Sequence, residues 1–173
     1  MSKKYLENKR SEILHDKTIE KWYFDACVLD EKKIFSQIYH KGKAICIISH
    51  LSLGEAFSNF IIKLNSVNCI KNKENQITAF VDFINKLQKE YSFQIVGHDE
   101  ISNQLEKLNN NFINIKKDGT RLSISDAIHL ATAGAYNCCK IYSSDRDLTN
   151  LSSNKLKRIS ETFELHNLAI IKV

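Results

Sequence analysis

Short apolar runs alternate along this chain with stretches whose apolar residues recur every three or four positions. Trp22, Tyr23 and Phe24 make a compact run that ends at Asp25 and predicts a strand. After it, ACVLD reads as a turn and KKIFSQIYHKG as a helix with Ile34, Phe35 and Ile38 inward, stopped by Gly42. Ala44 to Ile48 predicts a second strand, and Leu53, Phe57, Phe60, Ile61 and Leu64 then repeat at helical spacing. Ile77, Phe80, Val81, Ile84 and Leu87 mark another helix, Phe93 to Val96 a strand, and Ile101, Leu105, Leu108 and Phe112 a further helix. Asn109 to Thr120 is polar, holds Gly119 and reads as a loop. Ile124, Ala127, Ile128, Ala131 and Ala135 line the inner face of the next helix, before strands at Lys140 to Ser143 and Leu168 to Val173. The alternation predicts an α/β fold, a three-layer α/β/α sandwich with a mostly parallel central sheet.

Residues 1–20 lack a strong apolar stripe. They read as a charged helical extension, docked through Tyr5, Ile13, Leu14 and Ile19. Its Lys3, Lys4, Lys9 and Arg10 are alternatively contacts for a phosphate backbone. Residues 21–173 form a single domain, without internal repeat or linker.

With 43% hydrophobic and 26% charged residues, the chain is expected to fold around a core. No apolar run reaches the ~18 residues of a membrane span, and the N-terminus lacks the apolar core of a signal peptide. A cytoplasmic location is the expectation. The five cysteines, Cys27, Cys46, Cys69, Cys138 and Cys139, lie mostly in apolar runs without a CxxC pair, so they read as buried free thiols. A net charge of +5 permits a nucleic-acid substrate without requiring one.

Chemistry enters with the acids. Asp25 ends one strand, while Asp145 and Asp147 follow another. Glu55 stands three residues after Ser52, and Asp126 three after Ser123. Each has a structural explanation: turn former, helix cap, or half of a capping box. In a parallel α/β fold, however, strand carboxyl ends and helix amino ends share one edge of the sheet. Acids gathered there repel one another unless cations join them. Oxygen ligands select Mg²⁺ or Mn²⁺ over zinc, and such ions activate water and offset charge on a phosphodiester. His129, three positions after Asp126, reads as a hydrogen-bonding residue flanking the site, and His50 lies near the Glu55 helix. No glycine-rich phosphate loop or dinucleotide fingerprint is present.

These acids, in this order, resemble the motifs of the PIN domain, the fold of many metal-dependent ribonucleases, including the toxins of VapC-type toxin–antitoxin pairs. The resemblance covers Lys21 to Val173. YFDACVLD matches the opening motif and supplies Asp25, SLGEAF supplies Glu55, SDAIHLATA supplies Asp126, and IYSSDRDL supplies Asp145 with Asp147 as auxiliary. The chain is longer than a minimal toxin of this kind, and Leu148 stands where the fourth motif commonly has Phe. Neither departure removes an acid.

The resemblance implies that Asp25, Glu55, Asp126 and Asp145 are catalytic and, with Asp147, hold one or two Mg²⁺ or Mn²⁺ ions. It implies endonucleolytic hydrolysis of RNA to a 5′-phosphate and a 3′-hydroxyl, a small antitoxin partner and a homodimer. Lys116, Lys117, Arg121 and Arg146 flank the acids and are expected to receive phosphates, with ordinary solvated charge as the alternative. Arg146 is also placed to pair with Asp145 and Asp147. Two competing functions remain open at the level of sequence. One is an RNA-processing or structure-specific nuclease without an antitoxin. The other is a binding module whose acids serve only as caps and turns.

Overall fold

The structure is a computed structural model, and it describes residues 12–14, 16, 18–30, 44–66, 72–91, 93–97, 101, 106, 123–165 and 168–173. Five described strands, β1 (Lys21–Phe24), β2 (Ile45–Ser49), β3 (Gln94–Val96), β4 (Lys140–Ser143) and β5 (Ala169–Lys172), make one sheet in the order β3-β2-β1-β4-β5. Every neighbouring pair is parallel. Tyr23 is in register with Ile47 on one side and Ile141 on the other. A central parallel strand is covered on both faces, so its residues need not alternate between apolar and polar. All four residues of β1 are accordingly buried.

The described helices are α1 (Ala26–Asp30), α2 (His50–Ser66), α3 (Lys73–Tyr91), α4 (Ile124–Ala135), α5 (Arg146–Thr149) and α6 (Ser153–Thr162). They divide into two layers because successive strand residues point to opposite faces. Tyr23, Ile47 and Ile141 pack on one face against Leu130 and Ala131 of α4 and Ile159 of α6. Trp22, Phe24, Cys46, Ile48 and Tyr142 pack on the other against Val28 and Leu29 of α1, Ala56 of α2 and Ile84 and Leu87 of α3. The three-layer α/β/α sandwich expected from the sequence is the architecture observed, and all its described strands are parallel.

Helix ends place the strands that carry the acids. Beyond α4, Asn137 adopts φ 54°, a left-handed conformation that asparagine tolerates better than most residues. Its N–H donates to the Gly134 carbonyl at 3.1 Å, and the Cys138 N–H to the Ala133 carbonyl at 2.8 Å. This two-bond closure stops the helix and turns the chain straight into β4.

Some local expectations change. ACVLD is not a turn but the helix α1, since the Val28 N–H bonds back to the Asp25 carbonyl at 3.1 Å and Val28 and Leu29 gain full burial. Ile124 is not on the inner face of α4: it is 81% exposed in the first turn, and the buried stripe runs through Ala127, Leu130, Ala131 and Gly134. Ile77 and Val81 are exposed on α3. Cys27, Cys46, Cys138 and Cys139 are free thiols, as expected, but only Cys46 and Cys138 are buried; Cys27 and Cys139 are partly exposed. The helix with Ile34, Phe35 and Ile38, the loop at 109–120, most of the helix begun by Ile101, Cys69 and most of the N-terminal extension lie outside the described residues. Within that extension, Leu14 packs against the core while Ile13 is exposed. Among the described residues, no helix is long and apolar enough to cross a membrane.

Candidate metal centre

Asp25 leaves the carboxyl end of β1, on the same face as Tyr23 two residues earlier. It is 6% exposed. Its Oδ1 accepts the Ala26 N–H at 2.6 Å, and its Oδ2 accepts the Ser143 hydroxyl at 2.6 Å. An ionised carboxylate offers about four lone-pair sites, so both oxygens retain room for a cation.

Glu55 comes from α2, five residues after the helix begins at His50. The capping box expected between Ser52 and Glu55 does not form. Instead, the Ser49 hydroxyl oxygen receives the Ser52 N–H at 3.0 Å, so the helix starts three residues earlier. That frees the Glu55 carboxylate for tertiary contacts. Its Oε1 accepts the Ser125 hydroxyl, and its Oε2 faces His129 Nε2 at 3.1 Å. Burial pushes the Glu55 pKa up, but the hydrogen bonds from His129 and Ser125 outweigh it and hold the carboxyl below its ordinary value.

His129 projects from α4 and is 2% exposed. Its Nε2 lies 3.5 Å from Asp25 Oδ1 as well as 3.1 Å from Glu55 Oε2. Burial disfavours the imidazolium. The hydrogen bond to Glu55 and the charges of Asp25, Glu55 and Asp126 prevail, and the pKa is raised. One donor atom from each of Asp25, Glu55 and His129 lies within 4.8 Å of the other two, a group able to hold a metal ion. The donors fit such an ion chemically: two carboxylates and one imidazole at one edge of the sheet.

Among the described residues, the other acids expected as metal ligands, Asp126, Asp145 and Asp147, are not part of this converging group. The charge of Asp126 nevertheless acts on His129, and that of Asp145 on Asp126. Asp126 is buried and completes the expected capping box: its N–H donates to Ser123 Oγ at 3.0 Å, and its Oδ2 accepts the Ser123 N–H at 2.8 Å. Burial raises its pKa, Ser123 opposes this, and the nearby Asp145 charge adds to it. Asp145 is exposed and caps α5, its Oδ1 accepting the Asp147 N–H at 2.7 Å. Its own N–H donates to Ser143 Oγ at 2.9 Å, so one buried hydroxyl ties the Asp145 backbone to the Asp25 carboxylate. Asp147 and Arg146 are exposed in α5, and His50 is exposed at the start of α2. Lys116, Lys117 and Arg121 lie outside the described residues.

The sequence sets His129 beside the acids as a hydrogen-bonding residue; the structure gives it that hydrogen bond, to Glu55, and also brings its Nε2 near Asp25. The available signal was spacing. Ser125 and His129 are four apart on one helical face, so both reach Glu55.

No protein-family model matches the chain, and no curated protein matches it in sequence. Among solved structures, the chain is similar to VapBC2 from Rickettsia felis bound to a DNA fragment from their promoter. The TM-score is 0.53 at 12% identity, covering 88% of this chain and 98% of that one. At that identity the likeness shows the fold, a PIN-like α/β/α sandwich.

Proposed function

We propose that this chain is a divalent-metal-dependent endoribonuclease and acts as the toxin of a toxin–antitoxin pair. The observation that carries the reading is the convergence of Asp25, Glu55 and His129, from three separate elements, at the carboxyl edge of a parallel PIN-like sheet. Asp25, Glu55 and His129 would hold Mg²⁺ or Mn²⁺, with Asp126, Asp145 and Asp147 completing the acidic surround. Of these two ions, the transition metal Mn²⁺ takes a nitrogen donor more readily than Mg²⁺. Such an ion supplies Lewis acidity at neutral pH, activating water and offsetting charge on the phosphodiester. Ser143 and the Ala26 N–H fix the orientation of Asp25, while Ser125 fixes Glu55. Arg146, with Lys116, Lys117 and Arg121, would receive substrate phosphates. The toxin assignment is supported by the likeness to a VapBC2 structure and implies a small antitoxin. The domain boundary at residue 21 and a homodimer are part of the same reading.

Cleavage of total RNA by the purified protein with Mn²⁺, Mg²⁺ or EDTA, run beside Asp25→Asn, tests the activity. Discrete fragments bearing 5′-phosphates, dependent on metal and lost in the variant, are expected. A 2′,3′-cyclic phosphate product would sink the mechanism. Metal binding has its own readout. Mn²⁺ at 100 times its Kd adds about 2.7 kcal/mol of stability. For a chain of this size that raises Tm by roughly 5–11 °C. Asp25→Asn should abolish the shift.

One observation favours a second reading, in which the acids serve structure alone. Asp25, Glu55, Asp126 and Asp145 each already accept a hydrogen bond from the protein. An absent Mn²⁺ shift in the wild type would decide for it.

A further inference from the structure

Behind the triad, on the side of His129 away from the carboxylates, lies a buried group of hydroxyls. The Tyr23 hydroxyl is 2.7 Å from Ser49 Oγ, 2.9 Å from Ser52 Oγ and 2.6 Å from His129 Nδ1. The two serine oxygens are 3.2 Å apart. Tyr23, Ser49 and Ser52 are fully buried. A tyrosine hydroxyl both donates and accepts hydrogen bonds, with one hydrogen to give and lone pairs to receive.

With the imidazole neutral, as a metal ligand must be, that single hydrogen allows two arrangements. In one, Tyr23 donates to Nδ1, and His129 carries its proton on Nε2, pointed at the carboxylates. In the other, Nδ1–H donates to Tyr23, which passes its own hydrogen to a serine. Only the second leaves the Nε2 lone pair facing Asp25 and Glu55. The serines make it possible. Ser49 already accepts the Ser52 N–H at 3.0 Å, and its oxygen can accept Tyr23 as well while its hydrogen turns to Ser52 Oγ. A phenol packed against His129 with no other acceptor would have imposed the first arrangement.

We propose that Tyr23, braced by Ser49 and Ser52, is the positioning residue that makes His129 a cation ligand, by accepting its Nδ1–H and leaving Nε2 free toward Asp25 and Glu55. The proposal rests on the reading of the triad as a metal centre. Histidine ligands elsewhere are oriented in the same way by a partner on the other ring nitrogen, and losing such a partner typically weakens metal binding 10–100-fold.

The test is Mn²⁺ affinity by calorimetry on the full chain, for wild type, Tyr23→Phe, His129→Ala, the double variant and Asp25→Asn. Circular dichroism confirms that each is folded. Tyr23→Phe should bind roughly 10–100-fold more weakly. In the His129→Ala background it should have no further effect, because the lost ligand is the route of its action. Ser49→Ala with Ser52→Ala, which keeps the phenol but removes its acceptors, should weaken binding too, and it serves if Tyr23→Phe does not fold. With ¹⁵N-labelled histidine, the Mg²⁺-bound wild type should show His129 protonated at Nδ1. Unchanged affinity in Tyr23→Phe, or an equal loss in both backgrounds, overturns the positioning role while Asp25→Asn still reports an intact metal site. A wild type that binds no Mn²⁺ overturns this proposal together with the reading beneath it.

Discussion

Ser143→Ala probes the bond that holds Asp25. Ser143 is fully buried at the end of β4, and its hydroxyl is the only side-chain atom removed. Two strong bonds go with it, besides a weaker contact with the Cys27 thiol. The hydroxyl no longer donates to Asp25 Oδ2, at 2.6 Å, and no longer accepts the Asp145 N–H, at 2.9 Å. A hydrogen bond to a charged group contributes about 1.5–3 kcal/mol. The second loss is smaller, because Asp145 is exposed and water replaces the acceptor. The expected destabilisation is about 2 kcal/mol, which at 2–4 °C per kcal/mol lowers Tm by roughly 4–8 °C. Thermal melts by circular dichroism in EDTA keep metal binding out of the measurement. The cycle is closed in Asp25→Asn, where the partner is neutral and a hydrogen bond contributes only about 1 kcal/mol. The loss should therefore shrink there by about half. A Tm change below about 1 °C, or equal losses in both backgrounds, would show that the charged bond is not what the hydroxyl supplies.

The remaining predictions concern pH and packing. His129 has a raised pKa in the folded chain, so its charged form stabilises the fold. That contribution is complete below its unfolded pKa, about 6.5, and is lost as pH rises through the folded value. Urea melts in EDTA from pH 6 upward should show stability falling, with a flatter profile in His129→Asn; parallel profiles would refute the assignment. Glu55 works in the opposite sense: its lowered pKa adds stability above its unfolded pKa, about 4.3, that is lost on further acidification. In Gly134→Ala, the new Cβ would stand 2.8 Å from Phe163 Cγ and 2.9 Å from Cδ1, against a ring that is 3% exposed. Overpacking costs about 1–3 kcal/mol against a helix-propensity gain of up to about 1 kcal/mol. Urea denaturation should show a net loss of roughly 0–2 kcal/mol, and a more stable variant would refute the clash.

Features that depend on neighbours in sequence are legible in the chain itself. β4 falls on Lys140–Ser143 as read, because a short apolar run between polar neighbours marks its own ends. The Ser123–Asp126 capping box needs only a spacing of three and a helix to follow, and it is present. The same spacing misleads at Ser52 and Glu55. A local pattern cannot say which serine begins the helix, and Ser49 takes that part.

Contacts between distant residues are decided by the tertiary structure. Glu55 meets His129 across 74 residues of chain, and Tyr23 meets it across 106. Tyr23 reads as a core aromatic in a strand, which it is, yet its hydroxyl has a partner that no periodicity reveals. The strand order β3-β2-β1-β4-β5 sets β1 between β2 and β4, which brings Asp25, the start of α2 and Ser143 to one edge. Packing of α4 on the Tyr23 face then carries His129 over that edge. Residue type and spacing determine which groups can do chemistry. Which of them meet depends on side-chain burial against a sheet whose pairings join remote segments, and that is a property of the folded whole.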